Sequence, residues 1–199
     1  AGLLLDLNDN LTAYASYTDI FTPQGNLKTI DGSTLKPLIG KSYELGIKGE
    51  WYEGRLNSSF SLFRTLQEDA AQTDPNCADG SCSQNSGKVR AQGFEAEISG
   101  EVIDRLQLLA GYTYTQTKVL EDADPNQNGV SYNSYVPRHL LRVWGDYSLS
   151  GPLERFTVGA GFNAQSDNYR TSPISGNNIS QAGYTLSLIH ISEPTRLLS

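Results

Sequence analysis

The order of its segments constrains this chain more than any single motif does. Residues 41–67 read KSYELGIKGEWYEGRLNSSFSLFRTLQ. Through Tyr52 the period is two: Tyr43, Leu45, Ile47, Gly49 and Trp51 share one face, and Ser42, Glu44, Gly46, Lys48 and Glu50 share the other. An extended strand sends successive side chains to opposite sides, so this run predicts a strand with one apolar and one strongly polar face. Glu53-Gly54 predicts a tight turn. Leu56, Phe60 and Leu62 then resume an apolar face, which Phe63 interrupts.

The pattern recurs along the chain. Phe94, Ala96 and Ile98 alternate with Glu95 and Glu97; Leu106, Leu108, Ala110, Tyr112 and Tyr114 share a face. Leu141, Val143, Gly145, Tyr147 and Leu149 alternate with Leu140, Arg142, Trp144 and Asp146, and Phe156, Val158, Ala160, Phe162 and Ala164 with Thr157, Gly159, Gly161, Asn163 and Gln165. Seven strands of about 10–13 residues are readable, and an eighth begins at most near Ile179. Tight turns near Gly54, Asp104 and Gly151 lie about 50 residues apart, with long polar loops over residues 68–87 and 119–137 between them. Short turns on one side and long loops on the other characterise transmembrane β-barrels, and a tilted strand crosses a bilayer in about 9–11 residues. A soluble sandwich places turn signals every ~8–12 residues instead. The expected fold is all-β: part of an antiparallel transmembrane barrel with periplasmic turns and extracellular loops.

Composition agrees with this reading where it bears on function. Of 199 residues, 38% are hydrophobic, and the mean hydropathy is −0.40. No apolar run approaches the ~18 residues of a spanning helix, whereas barrel strands give only a weak hydropathy signal. Fifteen Lys and Arg against 22 Asp and Glu give a net charge of −7, without a basic stripe, which argues against nucleic acid as a partner. Eleven tyrosines, with Trp51 and Tyr52 at a turn-side strand end and Tyr112, Tyr114, Tyr132 and Tyr135 towards loop-side ends, suit the aromatic girdles of a barrel. No Met or signal peptide opens the chain, so its start reads as internal. Cys77 and Cys82, in CADGSC with a turn at Asp79-Gly80, predict a local disulfide in an oxidising compartment.

Four segments carry a family likeness: LTAYASYTDIFTPQ (11–24), YELGIKGEWYEGRLNSSFSLFR (43–64), VRAQGFEAEISGEVIDRLQLLAGYTYT (89–115) and VPRHLLRVWGDYSL (136–149). In this order they resemble successive barrel hairpins of TonB-dependent siderophore receptors, in the subset that takes ferrichrome, pyoverdine and related ferric chelates. The resemblance implies an outer-membrane barrel of about 22 strands in a Gram-negative bacterium, closed by an N-terminal plug. It also implies a ferric siderophore as cargo rather than a cofactor, surrounding outer-membrane lipid, and energy from the TonB–ExbB–ExbD complex through a region upstream of Ala1. Seven or eight strands cannot close such a barrel. Residues 1–185 are expected to be partial barrel. Residues 186–196, LSLIHISEPTR, match codon for codon the translation of a transposon adapter used in sequencing libraries, so 186–199 reads as a non-native tail and His190 drops out of functional argument.

Tyr132, Tyr135, Tyr169 and Arg170, on mouth-side loops, are the candidate ligand contacts, because aromatic stacking and guanidinium pairing suit anionic, partly aromatic chelates. Glu44, Lys48, Glu50, Glu95, Glu97 and Arg142 form a charged lumen-facing set, either holding a plug or merely hydrating the wall. No catalytic constellation is present: apart from His190, His139 is the sole histidine, and no serine has a His/Asp arrangement. The run from Asp122 to Gly129 resembles a calcium loop only loosely, since Gln127 stands at the sixth position and Asn133 at the twelfth; a solvated loop is expected, and no metal site. Two other classes stay open: a passive porin, small outer-membrane barrel or adhesin, and an extracellular all-β enzyme domain.

Overall fold

The computed structural model describes residues 1–74, 76–77, 80–132, 134–171 and 178–192, and side chains are described for fewer positions within its last strands. The four Asp79, Asn133, Arg170 and His190 side chains named above lie outside the described residues. Period-two segments fold as strands: β1 (Gly2–Asn8), β2 (Leu11–Thr22), β3 (Leu38–Trp51), β4 (Leu56–Thr73), β5 (Ser83–Ile103), β6 (Leu106–Glu121), β7 (His139–Ser148) and β8 (Thr157–Gln165). A short ribbon, β9 (Asn168–Thr171) with β10 (Asn178–Gln181), precedes β11 (Tyr184–Ser192). β1 through β8 pair in chain order, each antiparallel to the next, and β11 completes a nine-stranded open sheet beside β8. From β1 to β8 each neighbour is the next in sequence, the up-and-down meander of a barrel wall.

The turns fall where the sequence places them. Tyr52, Glu53 and Gly54 take φ of 54°, 61° and 83°, Arg105 takes 68°, and Gly151 takes 66°. On the opposite side the connections are long, and the strands run further than expected. β4, β5 and β6 have 18, 21 and 16 residues, so the polar runs after Gln67 and after Thr117 are partly strand rather than loop. Their polar residues pair across a bulge at Asp69 (φ 61°), between Gln67 and Ala70, beyond the apolar part of the sheet. The strand count is likewise corrected from seven or eight. β1 escaped notice because its leucines occupy both faces, with Leu4 opposite Tyr14, and Leu3 and Leu5 opposite Ala15 and Ala13. Ile179 belongs to β10, and the final strand starts at Tyr184.

Register gives each face its character. One transverse row on the apolar face joins Ala13, Ile47, Phe60, Ala96, Tyr112, Leu141 and Ala164. The next row towards the loops joins Ala15, Leu45, Leu62, Phe94, Tyr114 and His139. Leu45, Ile47, Phe60 and Leu62 are 44–57% exposed in this isolated sheet. A contiguous exposed apolar surface of this kind requires an apolar environment, and no helix among the described residues is long and apolar enough to cross a membrane. Above the aliphatic rows, Tyr17 packs on Tyr43 with ring centroids 5.1 Å apart, and Phe94, Tyr114 and His139 continue the band at 5.7 and 4.9 Å.

Candidate functional site

The opposite face is polar. Glu44, Lys48, Glu50, Glu95, Glu97 and Arg142 all lie on it: Lys48 is registered with Ser59, Glu97 with Gly111, and Arg142 with Asn163 in one row. The Tyr14 hydroxyl donates to the Glu44 carboxylate, and Lys48 Nζ sits 5.2 Å from the Tyr14 ring centroid. Large side chains on this face lie flat over glycines of the neighbouring strand. A Cβ on Gly46 would come within 2.5 Å of the Tyr14 ring, one on Gly93 within 2.9 Å of Phe63, and one on Gly161 within 2.6 Å of Trp144. The Phe63 that breaks the sequence alternation is thereby explained: its ring fits on the polar face because residue 93 has no side chain. The result is a charged wall with little aromatic bulk standing up from it.

Towards the loops this face deepens into a pocket of about 170 Å³, lined by Thr115, Thr117, Ser131, Ser134, Val136, Arg138, Asp167 and Tyr169. Residues 129–130 extend the sheet beside β6, with N–H···O bonds from Gly129 to Val119 and from Val119 to Val130. The start of β9 folds against residues 134–135 of the same loop, through Tyr169 N–H to the Ser134 carbonyl (2.9 Å) and Asn168 Nδ2 to the Tyr135 carbonyl (3.1 Å). Of the four candidate contacts, Tyr169 lines the pocket. Tyr132 and Tyr135 belong to the same loop but are 51% and 60% exposed and do not line it; Arg170 has its backbone in β9. Sequence reading missed Arg138 and Asp167, which bring a cation and an anion to one rim. The adjacency of the loop to a strand some thirty residues onward exists only in the register. One cation, one carboxylate, a phenol and several hydroxyls equip the pocket to hydrogen-bond a polar ligand and to pair with charge.

Three side-chain amides tie the loops together beneath their tips. Gln24 Nε2 donates to the carbonyls of Lys36 (2.7 Å) and Asp69 (2.8 Å), and its Oε1 accepts from Ala71 N–H (2.9 Å). Asn85 accepts from Lys36 N–H (2.9 Å) and donates to the same two carbonyls, at 3.0 and 2.8 Å. Gln72 accepts from Ala123 N–H (2.8 Å) and donates to Asp122 (2.6 Å). The segment around Asp122 is a short 3-10 turn, Pro125–Gln127, in which Asp124 accepts from Asn126 N–H and Nδ2 at 3.0 and 2.8 Å. Those bonds hold the Asp124 carboxyl below its usual range and commit it to capping the turn.

Cys77 and Cys82 are joined in a disulfide at the tip of the β4–β5 loop. A ring this small restricts the unfolded chain by about 2 kcal/mol, and Asp74 N–H to the Cys82 carbonyl (3.1 Å) already closes its base. Replacing both cysteines with serine is therefore expected to leave the sheet intact and to speed proteolytic cleavage within residues 74–82 several-fold, as followed by mass spectrometry of limited digests. Equal cleavage rates with and without the disulfide would show that the backbone bond alone holds the tip.

Comparison with known proteins agrees with this geometry. The family described as TonB dependent receptor-like, beta-barrel, matches residues 1–189. The chain is 82% identical over 186 residues to the ferric-pyoverdine M114 receptor PbuA of Pseudomonas sp. (strain M114), covering 94% of this chain and 22% of that relative. Among solved structures, it superposes on the ferripyoverdine receptor of the outer membrane of Pseudomonas aeruginosa bound to ferripyoverdine, with a TM-score of 0.83 and 33% identity. That match covers 96% of this chain and 26% of the other. An FpvAI–pyocin S2 complex aligns with a TM-score of 0.84 and 32% identity over the same shares. The chain thus spans about a fifth to a quarter of the length of these relatives.

Proposed function

The chain belongs to the TonB-dependent receptor β-barrel family, and on that premise we propose that it is barrel wall from an outer-membrane receptor that takes up ferric pyoverdine-type siderophores. The observation that carries this reading is the 82% identity to a ferric-pyoverdine receptor across almost the whole chain. In this reading the apolar face meets lipid, the polar face looks into the lumen, and the pocket at Arg138, Asp167 and Tyr169 sits at the extracellular mouth. Glu44, Lys48, Glu50, Glu95, Glu97 and Arg142 face an N-terminal plug, and energy arrives through TonB–ExbB–ExbD contact made elsewhere in the receptor. Uptake moves a chelate without covalent chemistry, and the relatives are named as receptors rather than enzymes. The family match supports this reading over a passive porin or an enzyme domain. In the same reading residues 1–185 of this chain are receptor barrel and 186–199 a non-native tail. Support comes from β11, where Leu186 and Leu188 are registered with Asn163 and Gly161 on the polar face and Ser187 with Phe162 on the apolar one.

The test is iron-limited growth and radiolabelled iron uptake in a strain lacking its own pyoverdine receptors, complemented with the full-length gene that contains this segment. Uptake restored by ferric pyoverdine alone supports the proposal; restoration by a different chelate, or by none, refutes it. In the same background Arg138→Ala with Tyr169→Ala is expected to weaken chelate binding at least tenfold, since each cation or aromatic contact covered by a ligand is worth about 1–2 kcal/mol. A binding titration checks this, and unchanged affinity would move the contact surface away from this pocket.

A further inference from the structure

One transverse row of the polar face changes character half-way across the sheet. From β3 to β8 it runs Glu50, Asn57, Ser99, Leu109, Trp144, Gly161. The first three suit a hydrated wall, whereas Leu109 and Trp144 are apolar neighbours on a charged one, and Leu109 is 59% exposed. Glycines lay the tryptophan open. Cβ atoms on Gly159 and Gly161 would come within 2.7 Å of Trp144 Cζ2 and 2.6 Å of its Cε3, atoms at opposite corners of the six-membered ring. The ring therefore lies flat on β8, one face against the main chain and the other towards the lumen. In the next row up, Arg142 is exposed and, among the described residues, in no ion pair. Gly111 separates it from Glu97, two strand spacings or about 10 Å away. Asp146, on the same face below Trp144, is registered with Gln107 and Gly159. A flat indole face, a leucine and a guanidinium at one edge make a platform for a planar aromatic group that carries negative charge. The cleft over these residues also touches Leu188, which belongs to the tail set apart above, so β5 to β8 alone define the platform.

Its place on the wall connects the platform with the mouth pocket. That pocket draws Thr115 and Thr117 from β6, Arg138 from the entry to β7, and Asp167 and Tyr169 from beyond the end of β8. The platform uses the same three strands. From Thr115 down to Leu109 is about 20 Å of strand, or about 15 Å of depth at a ~40° tilt. We propose that Leu109, Trp144 and Arg142 form a second, weaker stop for the aromatic, anionic part of a ferric chelate on its way through the lumen. Glu97 and Asp146 flank the platform and keep its affinity for an anion low, as a transit site requires: cargo must enter it and leave again. The site rests on the receptor reading, which sets the plug against this wall, so cargo reaches it once the plug has shifted. By holding cargo that has left the mouth, the platform lowers the barrier to release.

The experiment uses the full-length receptor in a strain lacking its own pyoverdine receptors, with radiolabelled ferric pyoverdine as the probe. Trp144→Leu is expected to cut maximal uptake about fivefold, the size of one lost aromatic contact, while equilibrium binding to de-energised cells stays at the parent value. Trp144→Phe is expected to recover most of the loss, and Leu109→Asn to show the same split between uptake and binding. Tyr147→Leu, on the same strand but facing outward, is expected to transport as the parent does. Unchanged uptake in both Trp144→Leu and Leu109→Asn overturns the site, and so does a fall in binding that matches the fall in uptake. The competing occupant is the plug itself, seated on the same residues. Its loosening in Trp144→Leu would admit a large antibiotic such as vancomycin without any chelate, and such a leak overturns the transit site. Heat-modifiable migration on gels reports barrel formation separately; if Trp144→Leu forms no barrel, Leu109→Asn, at an exposed position, decides the matter by the same readouts. A parent receptor that takes up no ferric pyoverdine refutes the receptor reading and the platform with it, whereas normal parent uptake with undiminished variant uptake refutes the platform alone.

Discussion

Replacing Gly93 with valine is expected to abolish the folded barrel in the full-length receptor. A Cβ built on Gly93 lies 1.8 Å from the Tyr114 carbonyl oxygen and 2.9 Å from the Phe63 ring. The ring could swing away, but the carbonyl belongs to the β5–β6 ladder, where Gly93 is registered with Thr115 and Phe94 with Tyr114. Relief therefore means separating two strands in the middle of the sheet. Overpacking alone costs about 1–3 kcal/mol, and each ladder bond opened in hydrocarbon adds several kcal/mol more. The measurement is the fraction of receptor that migrates as a heat-modifiable species from isolated outer membranes, which should fall at least tenfold. Gly111→Ala is the internal control: the nearest atom to its Cβ is Glu97 Cγ at 3.9 Å, and barrel yield should be unchanged. A Gly93→Val receptor with normal yield would show that the two strands can part here without cost.

The second large effect is expected at the loops. Gln24→Leu with Asn85→Leu removes six hydrogen bonds, four of which join the β2–β3 connection to the outer ends of β4 and β5. Each bond contributes about 0.5–1.5 kcal/mol net, and partial exposure lets water replace some of them. A loss of about 3 kcal/mol in local stability, or roughly a hundredfold faster amide exchange, is expected over residues 23–37 and 68–87. Exchange in the strands below Gln67 should not change, because the apolar rows there are untouched. Hydrogen exchange with mass spectrometry separates the two regions. Uniform acceleration throughout the sheet would mean that the loops hold the barrel up; no acceleration would mean that the amides are redundant.

Much of the fold was legible because two-sided burial writes itself into alternate residues. From Tyr43 to Trp51 and from Leu106 to Tyr114 the apolar and polar faces could be assigned without coordinates, and with them the turns at Gly54, Asp104 and Gly151. β1 was not legible, since leucines on both its faces erase the period. Nor were the outer ends of β4, β5 and β6. Past the bulge at Asp69, β4 reads Ala-Ala-Gln-Thr and its partner residues 83–87 of β5 are all polar or glycine, so no apolar alternation separates strand from loop. The charged wall residues could be placed on a face from local alternation. Arg138 and Asp167 could not be joined, because their meeting depends on how one loop lies against a strand some thirty residues later.

The amide ties beneath the loops bear on how such a surface evolves. Gln24 and Asn85 bond to the main chain of Lys36, Asp69 and Ala71, and Gln72 to the main chain of Ala123. Main-chain atoms are the same whatever residue supplies them. Most positions that receive the ties can therefore change identity without loosening the frame, and the exposed tips beyond them can diversify freely. A surface built this way can alter its exposed side chains while inheriting its frame through three amide side chains.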